Sequence, residues 1–170
     1  LMTTAAVDVA YKGQQYVIHA LPRLNALGIH AHYVLAGEGD PEKLRRLACR
    51  LGVEAQVEFA GRMPLEKVLQ RLDGADIYLQ PSLQEGLPRA VIEAMSRGCL
   101  CIGARTAGIP ELLEPAFLVR RRSVRDLVRA IAAACRMTPE QLERQAERNL
   151  GVAGNYTAAV LKPRREAYYR

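Results

Sequence analysis

Tryptophan is absent from this chain of 170 residues, and phenylalanine and histidine occur only two and three times. No apolar run approaches the roughly 18 to 20 residues that a membrane-spanning helix needs, so the sequence predicts no such helix. Residues 1–7 lack the basic region of a signal peptide. Because the chain begins abruptly in a predicted strand, we expect it to be part of a longer protein, located in the cytoplasm.

Cysteine is also scarce, and none of its spacings is typical of a zinc site. The four cysteines are Cys49, Cys99, Cys101 and Cys135. Cys99 and Cys101 alternate along a predicted strand, so we expect both in the same packed layer and interpret all four as reduced, mostly buried thiols. His30 and His32 also alternate on a predicted strand, but two ligands without a third do not predict a metal site. We expect no bound metal.

The net charge is +6, and the basic residues are concentrated in two clusters. These clusters are 120–122 with Arg125, and Lys162 with Arg164 and Arg165. One interpretation is a solvated face. The other is peripheral contact with an anionic surface at the inner face of a membrane, or with a polyanionic acceptor. Neither cluster is interleaved with aromatic residues, so we do not expect nucleic acid to bind.

Hydrophobic residues make up 49% of the chain and charged residues 25%, as in an ordinary globular domain. Short apolar runs alternate with helical patterns. Strands are predicted at 3–7, 30–36, 56–60, 77–80, 100–103 and 117–119. Helices are predicted at 14–27, after Asp40, after Pro64 with Leu65 among its inward residues, after Pro88, after Ser123, after Thr138 and at 157–170. This alternation predicts one α/β domain with a doubly wound, Rossmann-like parallel sheet.

Two carboxylates bracket the helix that is predicted after the fourth strand. Glu85 precedes Pro88 in a loop, and Glu93 lies about a turn and a half along the helix. From Pro88 to Glu93 the rise is roughly 7 to 8 Å, about the reach from a diphosphate to the ribose of one nucleotide. The alternative is structural, because Glu93 is four residues from both Arg89 and Arg97 and an ion pair would explain it.

Residues 80–112 contain this Glu-x7-Glu pattern and, after a further strand, the turn Gly108-Ile109-Pro110-Glu111. Lys12-Gly13, 34–39 and 59–63 follow or end the first three strands in a matching order. Together these motifs closely resemble the donor-binding region of the retaining, GT-B-fold nucleotide-sugar glycosyltransferases, the group 1 family. Four motifs in order over about 100 residues are more specific than one glycine-rich loop.

The resemblance implies a role for each matching residue. Lys12 is expected to neutralise the diphosphate, Glu85 to bind hydroxyls of the donor sugar, and Glu93 to bind the ribose. The backbone positions implied in donor binding are Gly37, Gly39, Gly61, Arg62, Met63, Gly86 and Leu87. From the residues alone, an ordinary loop lysine is the favoured interpretation of Lys12. A strand-to-helix turn explains Gly37 and Gly39 equally well.

The resemblance also implies that residues 1–170 are a single donor domain, which joins an N-terminal acceptor domain absent from this chain. The expected reaction is retaining transfer from a nucleotide sugar, with UDP favoured over GDP or ADP, to a glycan, a lipid-linked or a small-molecule acceptor. No cofactor is expected. The family often has an arginine about five residues before Lys12, but residues 6–8 contain none. A non-catalytic nucleotide-binding module, or one half of a two-chain transferase, is the alternative.

Overall fold

A computed structural model of the chain describes residues 1–168 and contains one sheet of six parallel strands. The strands are β1 (Met2–Thr4), β2 (Tyr33–Ala36), β3 (Val57–Gly61), β4 (Ile77–Gln80), β5 (Leu100–Ala104) and β6 (Leu118–Val119). Their order in the sheet is β3-β2-β1-β4-β5-β6, and every pair of neighbours is parallel. The predicted doubly wound sheet is therefore confirmed.

Helices cover both faces of this sheet. They are α1 (Gln14–Asn25), α2 (Glu42–Arg50), α3 (Leu65–Asp73), α4 (Arg89–Met95), α5 (Ile109–Leu112), α6 (Val124–Ala134), α7 (Pro139–Gly154) and α8 (Ala158–Tyr168). Buried residues of α1, α2 and α6 form one core layer, and those of α3, α4, α5 and α7 form the other. Because each face carries its own apolar layer, the central strands are buried on both sides.

Local sequence explains where two of these helices begin. The Ser123 hydroxyl accepts a hydrogen bond from the Asp126 amide, which caps α6. The Thr138 hydroxyl accepts from the Gln141 amide, while the Gln141 side chain accepts from the Thr138 amide and completes the predicted capping box of α7. These reciprocal bonds satisfy amides that a helix start otherwise leaves without a partner.

The order of the strands defines where a ligand has room. The chain winds from β1 outward to β3 and then crosses to β4 on the other side of β1. Loops after β1 and β4 therefore leave the sheet in opposite directions, which opens a crevice at the carboxyl edge between them. This position, where the strand order changes direction, is the topological switch point of the sheet. Open α/β sheets bind ligands there.

Several local predictions were wrong. β1 ends at Thr4 because the Val7 amide bonds to the Glu38 carbonyl in a loop. His30 and His32 precede β2, because β3 first pairs with β2 at Tyr33 and leaves residues 30–32 without a strand partner. They therefore do not alternate on a strand.

Burial also departs from prediction at three residues. Leu65 is exposed, because it is the first residue of α3 and the helix packs through later turns. Cys49 and Cys135 are exposed, since both lie at helix ends, whereas Cys99 and Cys101 share one core layer as expected.

At the end of the chain, Pro163 lies inside α8 and does not break it. The predicted end of this last helix, at Arg170, falls outside the described residues. Within residues 1–168, no helix is both long enough and apolar enough to cross a membrane.

Candidate functional site

Lys12 and Glu85 meet in the crevice between β1 and β4. The Lys12 ammonium lies 2.8 Å from Glu85 Oε1, although the residues are 73 positions apart in the chain. Lys12 ends a short 3-10 turn, and Gly13 follows with a φ of 79°. Both charged side chains are mostly buried, with exposed fractions of 22% and 10%. The pair therefore places one cation and one anion at the switch point.

The buried side-chain amide of Gln80 donates a hydrogen bond to Glu85. Gln80, the last residue of β4, donates from Nε2 to Glu85 Oε1 at 2.8 Å and to the Ser82 hydroxyl at 2.9 Å. The Tyr78 hydroxyl donates to Gln80 Oε1 at 2.8 Å. Burial raises the pKa of Tyr78, so this hydroxyl keeps its proton and orients the amide. Glu85 thus accepts two hydrogen bonds from fixed donors.

Sequence reasoning did not predict the role of Gln80. The available signal was a lone amide at the end of an otherwise apolar strand. A buried amide needs hydrogen-bond partners, and the loop that follows β4 is the nearest source of them.

The loops after β1 and β4 are tied to each other. The Leu83 amide donates to the Tyr11 carbonyl at 2.7 Å, and the Ser82 hydroxyl lies 3.4 Å from the Lys12 carbonyl. A side chain at Gly13 would overlap the Pro81 carbonyl. The glycine is thus required both by its left-handed φ and by the close approach of the two loops.

Glu93 lies on α4, on the opposite face of the sheet from α1. Partial burial raises the pKa of its carboxyl, and the positive charge of Arg89 opposes that rise. Arg97 instead binds Asp73, with Nη2 2.8 Å from Oδ2. Neither Arg89 nor Arg97 forms an ion pair with Glu93, so the ion pair expected from sequence spacing does not explain this carboxylate.

The loop between Glu85 and α4 exposes backbone. Gly86 and Leu87 are exposed, and their amides donate no hydrogen bond to any described residue. The Gly108 amide donates to the Gly86 carbonyl at 3.2 Å, which ties this loop to the turn before α5. α4 has only seven residues, so the free amides of this loop, rather than the helix, are the hydrogen-bond donors left available here.

The remaining predicted positions lie at the same edge but differ in what requires them. A side chain at Gly37 would overlap the Ala5 carbonyl, and one at Gly39 would overlap the Asp8 carboxylate. Gly37 is therefore required by packing against the backbone after β1, whereas Gly39 is required by its φ of 110°, because the exposed Asp8 side chain can shift. Gly61 has a φ of 69° and open space beside it.

Arg62 and Met63 follow Gly61. Arg62 makes a 3.4 Å contact with Glu38 at the surface, and Met63 packs against the core layer of α3 and α4. A cavity of about 850 Å³ opens at the opposite, amino edge, next to His30 and Asp76. That cavity lies at the opposite edge from the Lys12–Glu85 pair, and its walls include the ion pair of Arg71 and Glu58 at 2.9 Å.

The group 1 glycosyltransferase family model matches residues 1–137, which is most of the chain. The chain belongs to this family. The putative colanic acid biosynthesis glycosyltransferase WcaL of Escherichia coli (strain K12) is 33% identical over 141 residues, which are 77% of this chain and 35% of WcaL. The chain thus spans about a third of the length of such relatives.

Solved structures agree with the family in fold. Anabaena HepE in complex with UDP superposes with a TM-score of 0.87 at 22% identity, over 99% of this chain and 47% of that one. The C-terminal domain of a group 1 glycosyltransferase from Francisella tularensis superposes with a TM-score of 0.79 at 18% identity, over 92% of this chain and 86% of that one. The domain therefore has the fold of one half of a GT-B glycosyltransferase.

Proposed function

We propose that this chain is the donor-binding domain of a retaining glycosyltransferase and binds a nucleoside diphosphate sugar at the carboxyl edge of the sheet. The observation that carries the proposal is the ion pair of Lys12 and Glu85 at the switch point, 2.8 Å long and mostly buried. HepE, a structural neighbour, forms complexes with UDP and with UDP-glucose, which supports UDP over GDP or ADP.

The proposed roles follow from charge and position. Lys12 moves from Glu85 to the diphosphate and stabilises the negative charge that develops on the leaving nucleotide. The free amides of Gly86 and Leu87 bind phosphate oxygens. Glu85, held by Gln80, then accepts hydrogen bonds from hydroxyls of the donor sugar.

Glu93 is proposed to bind the ribose on the α4 side of the crevice. Its raised pKa reflects a carboxylate that is partly removed from water without a paired cation. Hydrogen bonds from two ribose hydroxyls would stabilise the charged form. The backbone of 61–63, at the end of β3, lies farther along the same edge and is the proposed contact for the base.

The acceptor is proposed to bind chiefly to an N-terminal domain, and a glycan, a lipid-linked or a small-molecule acceptor fits the family equally well. We propose a cytoplasmic location, at the inner face of the membrane. The chain alone is expected to bind the donor without appreciable transfer. Substantial turnover by the isolated chain would contradict this division of roles.

Calorimetric titration of the chain with UDP, GDP and ADP tests the donor proposal. UDP is expected to bind saturably, and Glu93→Ala to weaken it by at least about 1 kcal/mol through the lost charged hydrogen bonds. Glu147→Ala is the matched control, because Glu147 is an exposed glutamate of α7, remote from this edge.

An equal loss of UDP affinity in both variants would show that Glu93 does not contact the nucleotide. Binding of none of the three nucleotides, with the variants and the parent equally folded, would refute the donor function of this chain by itself.

A further inference from the structure

Two arginines at the carboxyl edge have no acidic partner within the described part of the chain. They belong to a basic run in the loop between β6 and α6. Arg120 of that run is bound to the buried carboxylate of Asp126 at 2.8 Å, whereas neither Arg121 nor Arg122 forms an ion pair. Both guanidinium groups remain exposed. The charge of these two residues is therefore free for a ligand.

The same two arginines line a cavity beside the candidate site. Its volume is about 480 Å³, and its other walls are Tyr11, Leu83 and Gln84. Tyr11 precedes Lys12, and Gln84 precedes Glu85. The backbone bond between Leu83 and Tyr11 fixes two of these walls to each other. The cavity thus shares its walls with the loops that hold the ion pair.

The position of the cavity separates it from the proposed nucleotide path. Tyr11 leads into α1 and Arg122 leads toward α6, and these two helices pack together on one face of the sheet. Glu93 lies on α4, which covers the other face. A nucleotide between Lys12 and Glu93 lies on the α4 side of the Lys12–Glu85 pair, whereas the cavity lies on the side of α1 and α6.

Arg122 also has a left-handed backbone, with a φ of 61°. Residues with side chains rarely adopt this conformation, and it costs of order 1 kcal/mol where no glycine is present. The two guanidinium groups bind a phosphate or a carboxylate through charge-assisted hydrogen bonds, and the Gln84 amide adds a neutral donor.

We propose that this cavity binds an anionic group, a phosphate or a carboxylate, of the sugar acceptor. The inference rests on the proposed donor function, because that function assigns the α4 side to the nucleotide. In this proposal the basic run takes part in acceptor recognition, and Arg121 and Arg122 are the binding residues. The anionic group belongs to a soluble acceptor or to a lipid-linked one, since both present the same charge.

The test uses ¹⁵N NMR spectra of the whole chain saturated with UDP and titrated with sn-glycerol 3-phosphate, with glycerol as the neutral control. Saturable shifts are expected at Tyr11, Gln84 and the two arginines. The double variant Arg121→Gln/Arg122→Gln should weaken glycerol phosphate about tenfold or more while leaving UDP affinity unchanged. The control Arg50→Gln/Arg136→Gln loses the same charge at exposed helix ends and should change affinity less than about twofold.

Equal weakening in the two double variants, or shifts that move to Lys12 and vanish when UDP is present, would overturn the proposal. Two separate titrations keep the two hypotheses apart. Absence of binding when UDP alone is added refutes the donor function, whereas absence of shifts at the arginines when glycerol phosphate is added without UDP refutes the cavity. Sedimentation with phosphatidylcholine vesicles, with and without phosphatidylglycerol, identifies the source. If the parent chain binds the anionic vesicles and the arginine variant does not, the anionic group belongs to a lipid. If the parent chain binds glycerol phosphate but not the vesicles, the group belongs to a soluble acceptor.

Discussion

Replacing the buried amide of Gln80 with a carboxyl group tests how Glu85 is held. In Gln80→Glu the shape is kept and the Tyr78 hydroxyl still has an acceptor, but the donor that faces Glu85 at 2.8 Å is removed. Two carboxylates would then lie about 3 Å apart. At an effective dielectric constant of about 20, their repulsion is about 5 to 6 kcal/mol.

The protein avoids most of this repulsion by keeping the new carboxyl protonated, which limits the cost. Holding a carboxyl with an ordinary pKa of about 4.3 in its protonated form at about pH 7 costs about 3.7 kcal/mol. The protonated group has one donor for Glu85 and none left for Ser82, so about 1 kcal/mol of the loss is independent of pH. We expect the free energy of unfolding to fall by about 4 to 5 kcal/mol at about pH 7.

The pH dependence of this loss has a definite sign. A carboxyl whose folded pKa is raised above its unfolded value lowers stability at neutral pH, and this cost disappears progressively as the pH falls from the folded pKa to the unfolded pKa. The deficit of Gln80→Glu should therefore shrink as the pH falls toward about 4.5, by about 1.4 kcal/mol per pH unit while the group is protonated in the folded state alone. Urea unfolding followed by circular dichroism, at several pH values and alongside the parent chain, measures the difference.

Gln70→Glu is the matched control, because Gln70 is an exposed glutamine of α3 and receives the same change. Surface substitutions of this kind change stability by about 0.5 kcal/mol or less. A deficit of similar size in both variants, or one in Gln80→Glu that does not vary with pH, would refute the inference that the Gln80 amide donates to Glu85.

Three further predictions concern single residues. Gly13→Ala should destabilise the chain more than Gly28→Ala, by at least about 1 kcal/mol in urea unfolding, because both have a left-handed φ but only the Gly13 side chain would meet the Pro81 carbonyl. Glu93→Gln should weaken UDP binding without lowering thermal stability, because partial burial raises the pKa of this carboxyl and disfavours its charge; a clear loss of stability would contradict this. Hydrogen bonding to Arg120 lowers the pKa of Asp126 to about 2, so the contribution of Asp126 to stability is present above about pH 4 and is lost as the pH falls toward 2. Asp126→Asn should remove that part of the acid unfolding curve. An unchanged curve would contradict the role of this carboxylate.

Much of the fold was predictable because its signals are local. A short apolar run predicts each strand, and α7 begins after Thr138, as expected, with a capping box. Burial of single residues was less predictable, since the exposure of Leu65 depends on how α3 meets the sheet. The second strand was predicted too long because its length depends on where β3 becomes available for pairing.

The candidate site was predictable in part. The motifs place Lys12 and Glu85 in the loops after β1 and β4, where the resemblance expects them. The hydrogen bonds of Gln80 were not predictable, since the direction of a buried amide depends on Tyr78 and on the loop folded over it. The requirement for Gly37 likewise comes from the Ala5 carbonyl, a contact between the loops that follow β1 and β2.

By itself, the sequence determined the alternation of strands and helices, the residues that begin α6 and α7, and the basic run before α6. These features follow from apolar periodicity and local caps, which act over a few residues. Only the tertiary structure decided that Lys12 meets Glu85, that Arg120 is bound to Asp126, and that its two neighbours remain free beside Tyr11. The reason is the order of the strands: one crossover from β3 to β4 brings distant loops to the same edge, and no local pattern encodes which of them will touch.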